Sequence, residues 1–275
     1  MSNNRIEFTG MTRTVVESEL DYHLERLDLD GYTVIPDVLD AATVQLIRDK
    51  LDAANERQIQ QYGRERLNEL KDYGVIRDLL VDDPFFQELV LLPAIWDLVG
   101  RIVGPTAILH LQNGIVLEPN LKHFQAFYHR DFSKDFVADK VLAINAMFAI
   151  DEFSARTGGT WVVPGTHRVS RLPSQRYMDE HAVQIEAPAG ALFFFDGLLL
   201  HKAGDNRSGA PRRAINHQYT RPFIKQQLDY AGMFRGKLDP ESRFAQVIGT
   251  WTMPPRDVAE YRVDPDKRTY RGGQG

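Results

Sequence analysis

In Phe127-Tyr128-His129-Arg130-Asp131-Phe132, His129 and Asp131 stand two residues apart. On an extended chain residues i and i+2 project from one face, so an imidazole nitrogen and a carboxylate oxygen are offered to one metal ion. A second imidazole, His201, sits in the apolar run from Phe193 to Gly204, and Arg212 follows beyond a turn containing Gly209 and Pro211. Two imidazoles and one carboxylate in apolar surroundings are the donor set of non-haem iron(II) oxygenases, which keep coordination positions open for co-substrate and oxygen. Zinc hydrolysis or isomerisation with the same ligand types stays open, as does a non-catalytic, ligand- or protein-binding β-barrel whose histidines only pack. Magnesium or calcium would call for more oxygen donors. Arg212 favours the oxygenase. A hydrolase has no need of a cation there, whereas an enzyme that takes electrons from 2-oxoglutarate must hold its distal carboxylate, which a guanidinium fork does bidentately. Asp196 is a rival carboxylate, but it precedes Gly197 and reads as a turn residue.

The elements that must position these residues change character near residue 105. Before it, Val44, Ile47 and Leu51 recur at helical spacing behind Asp40, and the stretches Leu79–Val90 and Pro93–Val103 read as helices, the latter with proline well placed at its start. Gly31–Val38 reads as a short strand leading into the Asp40 helix. After residue 105, short apolar and β-branched runs alternate with Gly, Pro and Asn turns: Ala107–Leu117, Val141–Ile150, Thr160–Val163, Val183–Ile185, Ala191–Phe195 and Arg213–Thr220. That rhythm predicts an antiparallel sandwich or barrel. A further helix is expected over Asp239–Ile248. The expectation is a single domain spanning 1–275, with a mostly helical flank (1–104), a β core (105–221) and a C-terminal extension (222–275) that is a candidate active-site cover.

Composition removes other classes. The 275 residues include no cysteine, so disulfides, Cys-bound zinc and Cys-ligated iron–sulfur clusters are excluded, and any metal must be held by His and carboxylates. Lys and Arg number 33 against 38 Asp and Glu, a net charge of −5 that gives no general attraction to phosphate backbones or anionic lipid. From Arg207 onward, 13 Lys and Arg face 7 Asp and Glu, so a basic tail follows an acidic body. There is no basic-then-apolar leader and no run approaching the ~20 apolar residues of a bilayer span. The expectation is a cytoplasmic protein with a small-molecule substrate, no nucleic acid and no membrane partner. A homodimer is compatible with it.

Four blocks in order carry a family resemblance: Gly31-Tyr32-Thr33-Val34-Ile35-Pro36; His129-Arg130-Asp131; Gly158 to Arg168 (GGTWVVPGTHR); and His201 to Ser208 with Pro211-Arg212-Arg213-Ala214. Over about Leu27 to Thr220 the chain resembles the phytanoyl-CoA dioxygenase family of iron(II)/2-oxoglutarate oxygenases. The resemblance implies a mainly β fold with flanking helices around a double-stranded β-helix (jelly-roll, cupin-like) core. It implies iron(II) held by His129, Asp131 and His201 as the catalytic centre, 2-oxoglutarate anchored by Arg212, and O2 as the other co-substrate. By position it also puts Met147 and Ala203 against 2-oxoglutarate, while Gln112 and Gln125, on candidate strands, could donate to co-substrate or substrate. Related halogenases lack the carboxylate; Asp131 is present, which favours hydroxylation, desaturation or ring closure. His167, in Pro164 to His167, reads as a structural turn residue. Candidate pocket walls are Gln58–Tyr73, Phe132–Asp139 and the segment with Tyr230, Met233, Phe234, Arg235 and Lys237; their mix of aromatics and cations suggests a polar or anionic substrate.

Overall fold

The computed structural model describes residues 5–8, 10–121, 123–132, 136–268 and 270–274. A hairpin of β1 (Arg5–Phe8) and β2 (Met11–Thr14) precedes α1 (Glu19–Leu29) and β3 (Tyr32–Ile35). The Asp40 carboxylate accepts the Thr43 N–H at 2.7 Å and caps α2 (Ala41–Tyr62), satisfying an otherwise orphaned donor. Short helices α3 (Arg64–Glu69), α4 (Leu79–Asp82), α5 (Pro84–Leu89) and α6 (Pro93–Ile102) follow, with β4 (Val75–Ile76) among them. The single helix expected over Leu79–Val90 is broken at Asp83, whose extended backbone and side-chain acceptor for the Phe85 N–H restart it before Pro84.

Seven strands build the second half: β5 (Ile108–Leu117), β6 (Ala143–Ala149), β7 (Trp161–Val163), β8 (Val183–Gln184), β9 (Leu192–Asp196), β10 (Leu200–Lys202) and β11 (Arg212–Thr220). They pair antiparallel in a six-stranded sheet, β3-β9-β6-β11-β5-β4, and a three-stranded sheet, β10-β7-β8. A helix α7 (Gln175–His181) leads into β8, and α8 (Tyr230–Met233), α9 (Arg243–Val247) and α10 (Val258–Tyr261) lie in the C-terminal segment.

The large sheet is buried on both faces, so β6 and β9 are almost entirely apolar. One face carries Ile144, Ala146, Phe148, Leu192, Phe194, Ile215 and Tyr219 into a core shared with Val44, Ile47 and Leu51 of α2 and Ile95, Leu98 and Val99 of α6. The other face carries Met147, Ala149, Phe193, Phe195 and Ala214 into a second core with Val162 of β7 and Ile185 beside β8. Two antiparallel sheets thus share one core while helices cover the far side of the larger. Helix makes up 34% of the chain and strand 19%, so the fold is not mainly β as expected: the helical layer outweighs the sheets.

The C-terminal segment is part of the helix-side layer. Tyr230, Phe234, Phe244, Val247 and Ile248 are buried in the helix-side core, and the Tyr230 hydroxyl accepts the Gln112 N–H at 3.0 Å. Arg243 stacks 4.1 Å from the Trp96 ring, and Gln246 donates to the Thr106 carbonyl at 2.9 Å. Tyr230, Phe234 and Met233 are therefore packed against the helices rather than walling a substrate pocket, and Arg235 and Lys237 are exposed. Among the described residues no helix is long and apolar enough to cross a membrane.

Candidate active site

His129 and His201 face each other across an antiparallel bridge, with each backbone N–H donating to the other's carbonyl at 3.0 and 3.1 Å. Asp131 extends the pairing, its N–H donating to the Gly197 carbonyl at 3.0 Å. The segment is extended, as the His-x-Asp spacing requires, although only one bridge forms rather than a full strand. The two imidazoles lie with ring centroids 4.3 Å apart, and His201 Nε2 is 3.6 Å from Asp131 Oδ1. One ligand atom from each of His129, Asp131 and His201 lies within 4.8 Å of the others. Each imidazole is oriented through Nδ1, which bonds the carbonyl two residues earlier: Phe127 at 3.0 Å for His129 and Leu199 at 2.9 Å for His201. A carbonyl accepts, so Nδ1 carries the proton in both rings and Nε2 presents its lone pair to the cluster. Two nitrogens and one oxygen suit iron(II) and leave the rest of its coordination shell open.

Asp131 is held by the large sheet. Its Oδ2 accepts from Asn145 Nδ2 at 2.7 Å and Gln218 Nε2 at 2.8 Å, which leaves Oδ1 for the metal. Asn216 donates to Asn145 Oδ1 at 2.8 Å and fixes which way that amide points. Sequence reasoning missed all three, although Asn145 stands two residues before Met147 on an otherwise apolar strand and Asn216 and Gln218 are an i, i+2 pair.

Arg212 starts β11 on the same sheet face as Asn216 and Gln218. It is 3% exposed, donates to the Gly158 carbonyl at 2.9 Å and lies 4.3 Å from the Phe153 ring centroid. Its Nε has no hydrogen-bond partner, and among the described residues no carboxylate lies within 4 Å of the guanidinium. Burial pulls its pKa down to about 10, and the field of Asp151 opposes this. A buried, uncompensated cation with a free N–H is arranged for an anion.

Beyond the triad, β5 carries a β-bulge. The register with β11 runs Leu111 to Gln218 and then Leu109 to Tyr219, so His110 is the extra residue. The bulge re-aims His110 toward the site: its ring is 5.7 Å from Phe132, and burial lowers its pKa while Asp131 raises it. His110 Nδ1, Asn216 Oδ1 and Thr220 Oγ1 are buried without hydrogen-bond partners.

Met147 lies on the site face of β6, 7% exposed, and Ala203 follows β10 with its N–H donating to the Gln125 carbonyl at 3.0 Å. Gln112 does not join them. Its side chain is on the helix face of β5, where Nε2 meets the Phe86 carbonyl at 3.0 Å and His217 Nε2 at 2.9 Å. Gln125 is in a turn rather than on a strand, and its backbone makes the recorded contacts, to Ala203 and to His123 Nδ1. Asp196, expected in a turn, is the last residue of β9, and its Oδ1 accepts the Leu198 N–H of the turn that follows at 2.7 Å. His167 contacts the Asp28 carbonyl at 3.2 Å, away from the cluster. In Gln58–Tyr73, Gln58 is engaged with the Arg77 backbone, and within Phe132–Asp139 residues 133–135 lie outside the described residues.

The family model for phytanoyl-CoA dioxygenase matches residues 27–214. An uncharacterized protein of Mycobacterium tuberculosis is 39% identical over 267 residues, covering 94% of this chain and 97% of that one. Among solved structures, EctD from S. alaskensis with 2-oxoglutarate and 5-hydroxyectoine has a TM-score of 0.60 at 20% identity, over 71% of this chain and 74% of its own. The epimerase SnoN in complex with Fe3+, alpha ketoglutarate and nogalamycin RO has a TM-score of 0.56 at 19% identity, over 73% of this chain and 83% of its own. These likenesses share the fold, and the metal donors described above fit iron. The chain belongs to the phytanoyl-CoA dioxygenase family and is a 2-oxoglutarate-dependent non-haem iron dioxygenase with a His-Asp-His iron-binding triad.

Proposed function

We propose that this enzyme hydroxylates an unactivated C–H bond of a small polar molecule, a metabolite or natural-product intermediate. In that reaction 2-oxoglutarate loses CO2 to give succinate, and the two atoms of O2 go one to succinate and one to the product hydroxyl. Iron, once bound, supplies the redox chemistry; the chain supplies position, orientation and exclusion of water.

The observation that carries the reading is Arg212: a buried guanidinium with no carboxylate within 4 Å among the described residues, on the sheet face that also anchors the metal carboxylate. In this reading it holds the distal carboxylate of 2-oxoglutarate, while Met147 and Ala203 line the co-substrate and the two sheets are the halves of a double-stranded β-helix. Asn145 and Gln218 keep Asp131 Oδ2 occupied so that Oδ1 faces the metal.

The substrate end is polar among the described residues. His110 Nδ1, Asn216 Oδ1 and Thr220 Oγ1 are unsatisfied there, whereas the nearby Arg77, which reaches Asn113 at 3.1 Å, is neutralised by Asp72 at 2.6 Å. Neutral donors and acceptors select hydroxyl or amide groups over a carboxylate or phosphate. The test is succinate formation across a panel of neutral and anionic compounds, with product mass recorded. A gain of 16 Da on a neutral hydroxylated or amide compound supports the reading; loss of 2 Da redirects it to desaturation or ring closure. If Asp131→Ala and Arg212→Ala leave 2-oxoglutarate turnover intact, the reading fails.

A further inference from the structure

Arg212 has a neighbour in the same condition. His123 is 8% exposed, and its Nδ1 accepts the Gln125 N–H at 3.2 Å. That bond uses the Nδ1 lone pair, so the neutral ring carries its proton on Nε2. Nε2 is buried and has no hydrogen-bond partner. A buried N–H left unpaired is costly, so its persistence calls for an acceptor.

Position says which acceptor. His123 and Leu117 line a cavity of about 120 Å³ with Tyr73, Lys71 and Glu118, and Leu117 is directly opposite Arg212 in the β5–β11 ladder. The fields of Arg212 and His129 both reach the His123 ring. The turn that holds it also holds the far side of the subsite, because the Gln125 carbonyl accepts the Ala203 N–H at 3.0 Å. Ala203 contributes only a methyl group. An N–H beside a guanidinium, with burial and that charge together keeping the imidazole neutral, forms a donor pair that a carboxylate satisfies.

We propose that His123 is a second positioning donor of the 2-oxoglutarate subsite, its Nε2–H donating to the carboxylate that Arg212 holds. The assignment rests on the proposed role of Arg212. It makes His123 a determinant of co-substrate affinity and of preference for dicarboxylic 2-oxo acids.

Calorimetric titration of the Ni(II)-loaded protein, which binds without turnover, reads this directly. His123→Leu should raise the Kd for 2-oxoglutarate roughly tenfold, the equivalent of about 1.4 kcal/mol. His123→Gln, whose amide N–H reaches the same position, should recover most of the loss. The binding of 2-oxopentanoate, which lacks the distal carboxylate, should be the same in wild type and His123→Leu. A purely structural His123 would instead lower thermal stability or Ni(II) affinity and weaken both 2-oxo acids alike. An unchanged 2-oxoglutarate Kd in His123→Leu, equal weakening of both acids, or no recovery in His123→Gln overturns the proposal. Should the leucine variant fail to fold, His123→Phe, which keeps the ring, carries the same comparison. Failure of the wild type to bind 2-oxoglutarate, or Arg212→Met binding it normally, would overturn the co-substrate role of Arg212 instead.

Discussion

Asn145 donates to Asp131 Oδ2 at 2.7 Å, and through that bond a strand in the middle of the large sheet orients a metal ligand in an irregular segment. Gln218 gives the same oxygen a second bond at 2.8 Å, so the carboxylate rotor is held from two strands. Removing such an outer partner weakens metal binding by about 10–100-fold. Asn145→Ala should fall in that range for iron(II) or its Ni(II) substitute, since it also strands the Asn216 amide that donates to Asn145 at 2.8 Å. Gln218→Ala, which strands nothing else, should fall at the lower end. Equal metal affinity in wild type and Asn145→Ala, measured by competition with a chromogenic chelator, would show that the bond does not orient Asp131.

Arg212 without an anion is a buried charge facing no carboxylate, so 2-oxoglutarate should stabilise the protein strongly. At 100 times its Kd a ligand adds about 2.7 kcal/mol, on the order of 5 °C in Tm for a chain of this size. Arg212→Met keeps the packing against Phe153 and removes the charge. It should abolish the 2-oxoglutarate-dependent shift of the metal-loaded protein while leaving the ligand-free Tm at or above that of the wild type. A drop in ligand-free Tm with a preserved shift would contradict both statements.

The framework of this molecule is readable where burial is one-sided or a residue is conformationally committed. Asp40 announces a cap, Pro93 a helix start, and the apolar runs between Gly, Pro and Asn turns appear as strands within a residue or two of their observed ends. Which way a strand residue points was not readable. The large sheet is buried on both faces, so β6 and β9 show no polar alternation, and nothing in HLQNGIVL tells that Gln112 faces the helices. The bulge at His110 hides parity further, because one extra residue exchanges the two faces. The metal ligands were legible because His-x-Asp constrains itself locally. Their supports, Asn145 and Gln218, lie 14 and 87 residues from Asp131 and acquire meaning only through strand pairing. The C-terminal segment read as a cover because it is polar and basic on average, yet Tyr230, Phe244 and Val247 at intervals suffice to anchor it on the helix side.

Buried histidines and a buried aspartate pull the stability of the metal-free fold in opposite directions below about pH 6.5. Desolvation brings His217 down to about 3 and, with Arg212 and His129 adding to it, His123 down to about 4. Unfolded imidazoles take up protons near 6.5, so below that pH the unfolded chain binds more protons and stability falls until the folded pKa is reached. At pH 5 this amounts to about 2 kcal/mol for His217 alone. Asp196 works the other way: desolvation raises it from 3.8 to about 6, so its contribution is present at low pH and is lost as pH rises between those two values. The apo protein should therefore gain stability from pH 5 to about 6.5, with these three groups adding no further pH dependence above that. His217→Gln should shrink the fall in Tm between pH 6.5 and 5, whereas Asp196→Asn, which removes the opposing term, should deepen it. Unaltered slopes in both variants would refute the assignment of those two groups.

The wall behind Arg212 depends on glycines packed backbone to backbone. A Cβ at Gly204 would lie 2.3 Å from the Gly159 carbonyl oxygen, and one at Gly159 would lie 2.1 Å from that of Ile185. Rigid backbone on both sides cannot yield as a side chain would, so Gly204→Ala must part the Gly158–Gly159 turn from the chain after His201. Overpacking of this kind costs about 1–3 kcal/mol. The same displacement moves the Gly158 carbonyl, which accepts from Arg212 Nη2 at 2.9 Å, and with it the guanidinium. Gly204→Ala should therefore weaken 2-oxoglutarate binding severalfold as well as lowering Tm, whereas Gly209→Ala, with nothing within 4 Å of the added carbon, should do neither. Calorimetry on the two variants at a temperature where both are folded separates the effects. A Gly204→Ala protein that loses Tm but binds 2-oxoglutarate as tightly as the wild type would show that the Gly158 carbonyl does not position Arg212.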